Sequence, residues 1–181
     1  MLIDVSYFTS GPRHIENASV AEMPSPNSLA VNEVIIGYIK AFQSEFLRNV
    51  IGDSLSQAVI DYLDIIEQER EYAPDEVDIS VEKEDYQSGY AVLCEKLREP
   101  FADYVFYHIL RDVNTQTTVT GLVRLKCANE YVAPFKRQVS TWNSMVKKNL
   151  LFVEWAMSDD CPFTGLKIQK NLLTPINAFN L

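Results

Sequence analysis

Apolar residues recur at three- and four-residue steps from residue 32 onward, a spacing that places them on one face of an α-helix. The pattern predicts a helix over residues 32–51. Gly52 stands where a left-handed residue would end that helix, and Asp53 or Ser54 is suited to cap a second helix that continues to Ile66. The predicted buried face of the first helix carries Val34, Ile35, Tyr38, Ile39, Phe42, Phe46, Leu47 and Val50.

Three more segments show helical spacing. Residues 86–97 predict one helix, and residues 101–111 predict another, rich in aromatic residues, that restarts after Pro100. A long last helix is predicted over residues 134–158. The apolar stripe of the last helix is predicted to contain Phe135, Val139, Trp142, Val146, Leu150, Val153 and Met157.

These segments predict a single, mainly α domain. Residues 114–126 are rich in β-branched side chains and predict a short strand or hairpin. The fold class is therefore a helical bundle of about four to five helices with that short β element. We expect an arm or loop over residues 1–31, a helical core over 32–158 and an extended tail over 159–181.

Composition excludes several classes of function. The 181 residues carry 16 basic and 25 acidic side chains, so a net charge of −9 argues against binding nucleic acid through its phosphates. The three cysteines, Cys94, Cys127 and Cys161, are too far apart for a disulfide framework and indicate a reducing compartment. No apolar run approaches the roughly 20 residues that cross a bilayer, and the first residues lack the pattern of a secretion signal, so we expect no membrane contact.

The search for catalytic residues points away from an enzyme. His14 and His108 are the only histidines, and neither has a motif partner for a catalytic triad or a zinc site. His108 lies in an aromatic stripe, where a hydrogen-bonded core or interface role is the more frequent one. No phosphate-binding loop, dinucleotide fingerprint or EF-hand spacing is present. We therefore predict no catalytic residue, no cofactor and no metal site.

An acidic segment covers residues 67–85, where nine acidic side chains face only two basic ones. Such a segment is most often a solvated surface loop. The candidate residues for this loop are Glu69, Glu71, Asp75, Glu76 and Asp78.

Apolar residues outside the predicted stripe indicate a second contact surface. Phe152 and Trp155 fall off the stripe of the last helix, and the tail that follows has too many apolar groups to remain in water. The tail covers either its own domain or a neighbouring subunit. The candidate partner-contact residues are Phe152, Trp155, Phe163, Leu166, Leu172, Leu173 and Phe179.

The layout of the chain resembles a known family. An opening YFTSGPRHIENAS, a first helix GYIKAFQSEFLRNVIG, then YVFYHILRD, TTVTGLV and STWNSMV follow in the order seen in the head-to-tail connector, or head-completion, proteins of tailed phages and prophages. The resemblance implies a virion structural protein made in the bacterial cytoplasm. It also implies a ring of copies below the portal that contacts portal and tail proteins. In such a ring the acidic segment could line the lumen through which DNA passes, where like charge discourages the duplex from adhering. The length and the acidic segment depart from commoner connectors.

Two alternatives from other classes remain. One is a bacterial cytosolic enzyme or regulator with a pocket around Tyr104, Tyr107 and His108, which a strongly perturbed His108 in a polar cluster would favour. The other is a dimeric helical adaptor that is unrelated to phages.

Overall fold

The structure, a computed structural model, consists mainly of α-helices, which confirms the predicted class. The helices α1, α2, α3 and α4 span Pro26–Ile51, Asp53–Tyr72, Val81–Val113 and Pro134–Ala156, with 3-10 turns at Val5–Phe8, Gly11–Arg13 and Lys170–Leu173. The structure describes residues 1–72, 81–113, 115–118, 121–124, 134–166 and 168–177.

Helix α1 starts six residues before the predicted position. Ser25 caps it, because the Ser25 hydroxyl accepts a hydrogen bond of 3.1 Å from the backbone N–H of Ser28, and Pro26 occupies the first turn. The polar first turn has no apolar periodicity, so the sequence pattern missed it. The predicted end is confirmed: Gly52 has a φ of 83°, and its N–H bonds to the Arg48 carbonyl.

Helix α3 corrects the prediction of two helices separated at Pro100, because Pro100 lies inside one continuous helix. An internal proline costs about 3 kcal/mol, since it removes one backbone hydrogen bond and crowds the preceding turn. Leu97 and Phe101, on either side of Pro100, are fully buried, and so are Leu93 and Val105 one turn further out. Burial of each of these side chains contributes roughly 1.5 to 3 kcal/mol, and together they outweigh the proline.

The core forms where α1 and α4 pack against α3. Phe46 of α1 is 0% exposed, and its ring centroid lies 5.2 Å from that of Phe101 and 5.3 Å from that of Tyr104. Val146 of α4 is also buried, as predicted. Phe42 and Trp142 were predicted to be equally buried, but they are only partly buried at the edge of the core.

Four of the first eight residues, Leu2, Ile3, Val5 and Phe8, belong to the core, which corrects the prediction of an arm for this part of residues 1–31. Their backbone forms a 3-10 turn that Asp4 caps by accepting a hydrogen bond from the Ser6 N–H at 2.8 Å. The Leu2 N–H donates to the Gln43 side chain on α1 at 2.7 Å. The turn buries the apolar side chains Leu2, Ile3, Val5 and Phe8.

Helix α4 buries a different face from the one predicted over its second half. Leu150 and Met157 of the predicted stripe are exposed, as is Phe135 at its start, whereas Phe152 is 3% exposed. The buried face is centred instead on Thr141, Met145, Asn149 and Phe152, each one residue before a member of the predicted stripe. The helix is therefore rotated about its axis relative to the predicted orientation, because polar side chains of this face, such as Asn149, are buried through hydrogen bonds to distant backbone.

Two short strands, Thr115–Thr118 and Gly121–Arg124, pair antiparallel with Thr115 opposite Arg124 and Thr118 opposite Gly121. They lie within the segment 114–126, for which a strand or hairpin was predicted. Among the helices of the described ranges, none is both long enough and apolar enough to cross a membrane.

Truncation of a core phenylalanine tests this packing. Phe46→Ala should lower the free energy of unfolding by about 3 to 5 kcal/mol, because a fully buried ring is replaced by a cavity. The matched control Phe135→Ala removes an exposed ring and should change the value by no more than about 0.5 kcal/mol. Urea denaturation followed by circular dichroism measures both, and equal effects would place Phe46 outside the core.

Candidate functional site

The C-terminal tail lies on its own domain, along α4. The Trp142 indole N–H donates to the Thr174 carbonyl at 2.9 Å, and the Asn149 amide donates to the Leu172 carbonyl at 3.0 Å. Asn143 makes two bonds to one residue, because its amide donates to the Ile176 carbonyl at 3.0 Å and its oxygen accepts from the Ile176 N–H at 2.8 Å. We call Trp142, Asn143 and Asn149 the α4 groove.

Further contacts hold the tail on both sides of this groove. The Gln169 N–H donates to the Asn49 carbonyl at 2.9 Å, which satisfies one of the last carbonyls of α1. The Phe163 ring packs on Tyr90, with the ring centroids 5.5 Å apart. A Cβ at Gly89 would lie 3.4 Å from the Pro162 ring, so the absence of a side chain at Gly89 lets the tail approach α3 closely.

The predicted partner-contact residues fall into three groups. Phe152 and Leu172 are buried in the core of their own chain, and Leu172 is 1% exposed. Trp155, Phe163 and the two leucines Leu166 and Leu173 are partly buried. Phe179 lies outside the described residues. The structure therefore places the tail on its own domain, which was one of the two predicted alternatives.

The described part of the structure does not include the side chains of the acidic candidate residues. Asp75, Glu76 and Asp78 lie outside the described residues, and so do the side chains of Glu69 and Glu71 at the end of α2. Their placement in a surface loop or a channel stays a prediction.

Sequence reasoning missed the three groove residues as well as a buried ionic cluster around Asp103. Asp103 on α3 accepts hydrogen bonds from Arg13 at 2.9 Å, from Lys148 at 2.7 Å and from Ser144 at 2.8 Å. Arg13 belongs to the N-terminal region, whereas Lys148 and Ser144 lie on α4. The only signal in the sequence was the position of Asp103 within an apolar helical segment. Burial of a carboxylate there is energetically unfavourable unless it is paired with positive charges or hydrogen-bond donors.

Glu99 extends this cluster toward solvent by accepting bonds of 3.0 Å from both Arg13 and Lys148. Burial acts to raise the pKa of Glu99, but the hydrogen bonds and positive charges of Lys148 and Arg13 outweigh it and hold the pKa below its ordinary value. Arg13 and Lys148 therefore each bridge two carboxylates one helical turn apart on α3.

His108 is buried, as predicted, but neither ring nitrogen has a hydrogen-bond partner among the residues that the structure describes. Its ring is 7% exposed and stacks on Phe42 with a centroid distance of 3.9 Å, while Tyr104 and Tyr107 contact it edge-on. Both ring nitrogens are shielded from solvent. Burial, followed by the charge of Arg111, lowers the pKa of His108 to about 4, so the imidazole is neutral at pH 7.

Polar groups surround this aromatic cluster without touching the imidazole nitrogens. The Tyr104 hydroxyl donates to Glu45 at 3.3 Å, and burial is the largest cause that raises its pKa. The Tyr38 hydroxyl donates to Asp112 at 3.2 Å. Both hydroxyl groups stay protonated at pH 7, and they donate to carboxylates rather than to His108.

Two cavities lie elsewhere on the molecule. A cleft of about 760 Å³ opens between the N-terminal turn, α2 and α3, where it borders Cys94, and burial raises the pKa of the Cys94 thiol to about 11. A second cavity of about 550 Å³ lies between the turn at Gly52 and Phe163. Neither borders His108, and within the described ranges no three acidic, histidine or cysteine side chains cluster as metal ligands do.

Comparison with known proteins identified no relative of this chain. Protein-family models, curated proteins and solved structures gave no significant match to the chain. The groove, the ionic cluster and the buried histidine are therefore interpreted from their own chemistry.

The buried histidine predicts a loss of stability in acid. Between pH 6.5 and pH 4, His108 is protonated in the unfolded chain but stays neutral in the folded chain. The contribution of His108 to the free energy of unfolding is therefore complete above pH 6.5 and decreases as the pH falls. The free energy of unfolding should decrease by about 2 kcal/mol from pH 7 to pH 5 because of His108 alone. Denaturation at several pH values measures this slope.

Two variants isolate the contribution of His108. His108→Phe removes the titrating group and keeps an aromatic ring, so this part of the slope should disappear. His14→Gln replaces the exposed histidine, and the slope should remain in that variant. An unchanged slope in His108→Phe would show that other groups cause the acid sensitivity.

Proposed function

We propose that this protein is a virion structural protein, a head-to-tail connector that assembles as a ring below the portal of a tailed phage or prophage. The observation that carries the proposal is the order of sequence segments, from YFTSGPRHIENAS to STWNSMV, which resembles that family over most of the chain. In this role the protein contacts other copies of itself, the portal and tail components. It accumulates in the bacterial cytoplasm before it enters the particle, and it has no catalytic site.

An exposed apolar surface on α4 supports self-association. Leu150 and Leu151 on α4 are about half exposed, and Met157, just beyond the end of the helix, is 82% exposed. Lys147 and Glu154 lie between and beside them, so the surface mixes apolar area with both signs of charge. Such a mixture is typical of contacts that form between folded subunits.

The acidic segment 67–85 fits the same role. Within a ring it would face the DNA channel, where carboxylates repel the phosphates of the duplex and reduce its adhesion during passage. Sequence-specific nucleic-acid binding is not part of the proposed function.

One observation favours the alternative of an enzyme or regulator. The pKa of His108 is strongly lowered, as it is for many catalytic histidines. A general base must reach a substrate proton, however, and both nitrogens of His108 are buried, with no hydrogen-bond partner in the described part of the chain. The structural role is therefore preferred, and the dimeric adaptor has no separate observation in its favour.

The particle itself provides the direct test of the proposed function. Mass spectrometry of purified virions should detect this chain in multiple copies, and deletion of its gene should yield filled heads that lack tails. Absence of the chain from virions, together with normal tailed particles from the deletion strain, would reject the proposal.

A charge on the exposed surface of α4 tests self-association. Leu151→Glu should leave the free energy of unfolding within about 0.5 kcal/mol and reduce the mass in solution to that of one chain, because the charge would be buried between subunits. Val34→Glu, at an exposed apolar residue of α1, is the matched control and should keep the wild-type mass. Light scattering measures both, and equal masses for wild type and Leu151→Glu would exclude this surface.

A further inference from the structure

We propose that His108 and the docked tail form an acid-sensitive latch, in which protonation of the buried imidazole releases residues 174–176 of the tail from Trp142 and Asn143. Release of these residues in turn lets the imidazole bind a proton more readily, because linkage between two equilibria is reciprocal. The latch works within one chain and does not depend on the proposed function.

A continuous series of contacts connects His108 to the tail. The Trp142 indole N–H donates to the Thr174 carbonyl at 2.9 Å. The Trp142 ring packs on Tyr107, with the ring centroids 4.9 Å apart, and Tyr107 contacts His108 edge-on at 5.4 Å. Movement of the tail and Trp142 therefore changes the packing that covers the imidazole.

A proton on His108 needs partners that the docked state does not provide. The ring is 7% exposed, and neither nitrogen bonds to any residue in the described ranges. A protonated imidazole carries two N–H donors and a positive charge, and burial of such a group without partners is strongly unfavourable. Protonation therefore favours any conformation in which water reaches the ring.

Nearby charged groups do not take the place of that water. The titratable and charged side chains that border the cluster are Tyr38 and Glu45 of α1 and Tyr104, Tyr107, Arg111 and Asp112 of α3. Each of the two carboxylates already accepts a hydrogen bond from a tyrosine, at 3.2 Å and 3.3 Å. The positive charge of Arg111 opposes protonation of His108 more than the negative charge of Asp112 favours it. The groups that α4 and the tail bring to the cluster, the Trp142 indole and the Thr174 carbonyl, are uncharged.

The tail side of the cluster is held less firmly than the α1 side. On the α1 side, Phe42 stacks on the imidazole at 3.9 Å, and the fully buried Ile39 and Phe46 hold α1 on either side of it. On the other side, residues 174–176 are half-buried or exposed. Three hydrogen bonds, one from Trp142 and two with Asn143, hold them on α4. The cluster therefore opens more readily on the tail side.

The expected size of the effect follows from the two protonation equilibria of His108. The pKa of His108 is about 4 in the docked state, mainly because of burial, against an ordinary value of 6.5. A lowered pKa means that docking is unaffected above pH 6.5 and weakens as the pH falls toward 4. Full access to water on release would reduce the docking equilibrium constant about twentyfold from pH 7 to pH 5.

Hydrogen exchange in the full wild-type chain tests the latch. After correction for the intrinsic pH dependence of exchange, protection of the Trp142 indole N–H should fall about twentyfold from pH 7 to pH 5. The Gln169 N–H, which the Asn49 carbonyl holds outside the released residues, is the internal control and should keep its protection. His108→Phe should abolish the pH dependence at Trp142. Equal protection of this N–H at both pH values, or the same fall in His108→Phe, would overturn the latch.

The ring signals of His108 in NMR spectra measure the same linkage in the reverse direction. Asn143→Ala on α4 and Ile176→Pro on the tail each remove hydrogen bonding between these two residues, from opposite sides of the contact. Both variants should raise the pKa of His108 from about 4 toward 6.5. Ser140→Ala, at an exposed polar residue of α4, is the matched control and should leave this pKa unchanged. An unchanged pKa in Asn143→Ala and Ile176→Pro would overturn the latch, and the exchange measurement decides alone if these variants fail to fold.

Discussion

The carboxylate of Asp103, buried in the middle of α3, ties three distant parts of the chain together. A buried charge is strongly unfavourable unless it is paired, and the partners of Asp103 are Arg13 from the N-terminal region and Lys148 and Ser144 from α4. One face of α3 therefore packs against both the N-terminal region and α4. The apolar core around Phe46 forms on the side of α3 that faces α1.

This arrangement exposes the surfaces that matter for the proposed role. Because Lys148 of α4 is directed toward Asp103 on α3, the neighbouring Asn149 faces the tail and Leu151 faces solvent. The helix thus presents a groove for an extended segment and an apolar surface for a subunit. His108 lies in an aromatic cluster that adjoins the groove, since the Tyr107 ring contacts both His108 and Trp142. This cluster keeps His108 neutral, and its burial links stability to acidity.

Local spacing was sufficient to predict much of the fold, whereas long-range pairing was not predictable. The end of α1 at Gly52 and the buried Phe46 followed from periodicity and turn chemistry. The continuity of α3 through Pro100 depends on tertiary burial that exceeds a local penalty, and the burial of the apolar residues among the first eight depends on contacts with α1. Candidate residues chosen for apolarity missed the groove, because the amides of Asn143 and Asn149 act through backbone that is distant in sequence.

Hydrogen exchange in Asp103→Asn tests most directly whether Asp103 ties these elements together. Removal of the charge should lower the free energy of local opening of the N-terminal region and α4 by about 3 kcal/mol, and so accelerate exchange about a hundredfold at the Ile15 N–H and in α4. Glu99→Gln, at the more exposed carboxylate of the same cluster, should have a smaller effect. Faster exchange confined to these elements, with the centre of α1 still protected, is the predicted result. Unchanged protection at Ile15 and in α4 would contradict the dependence of the fold on Asp103.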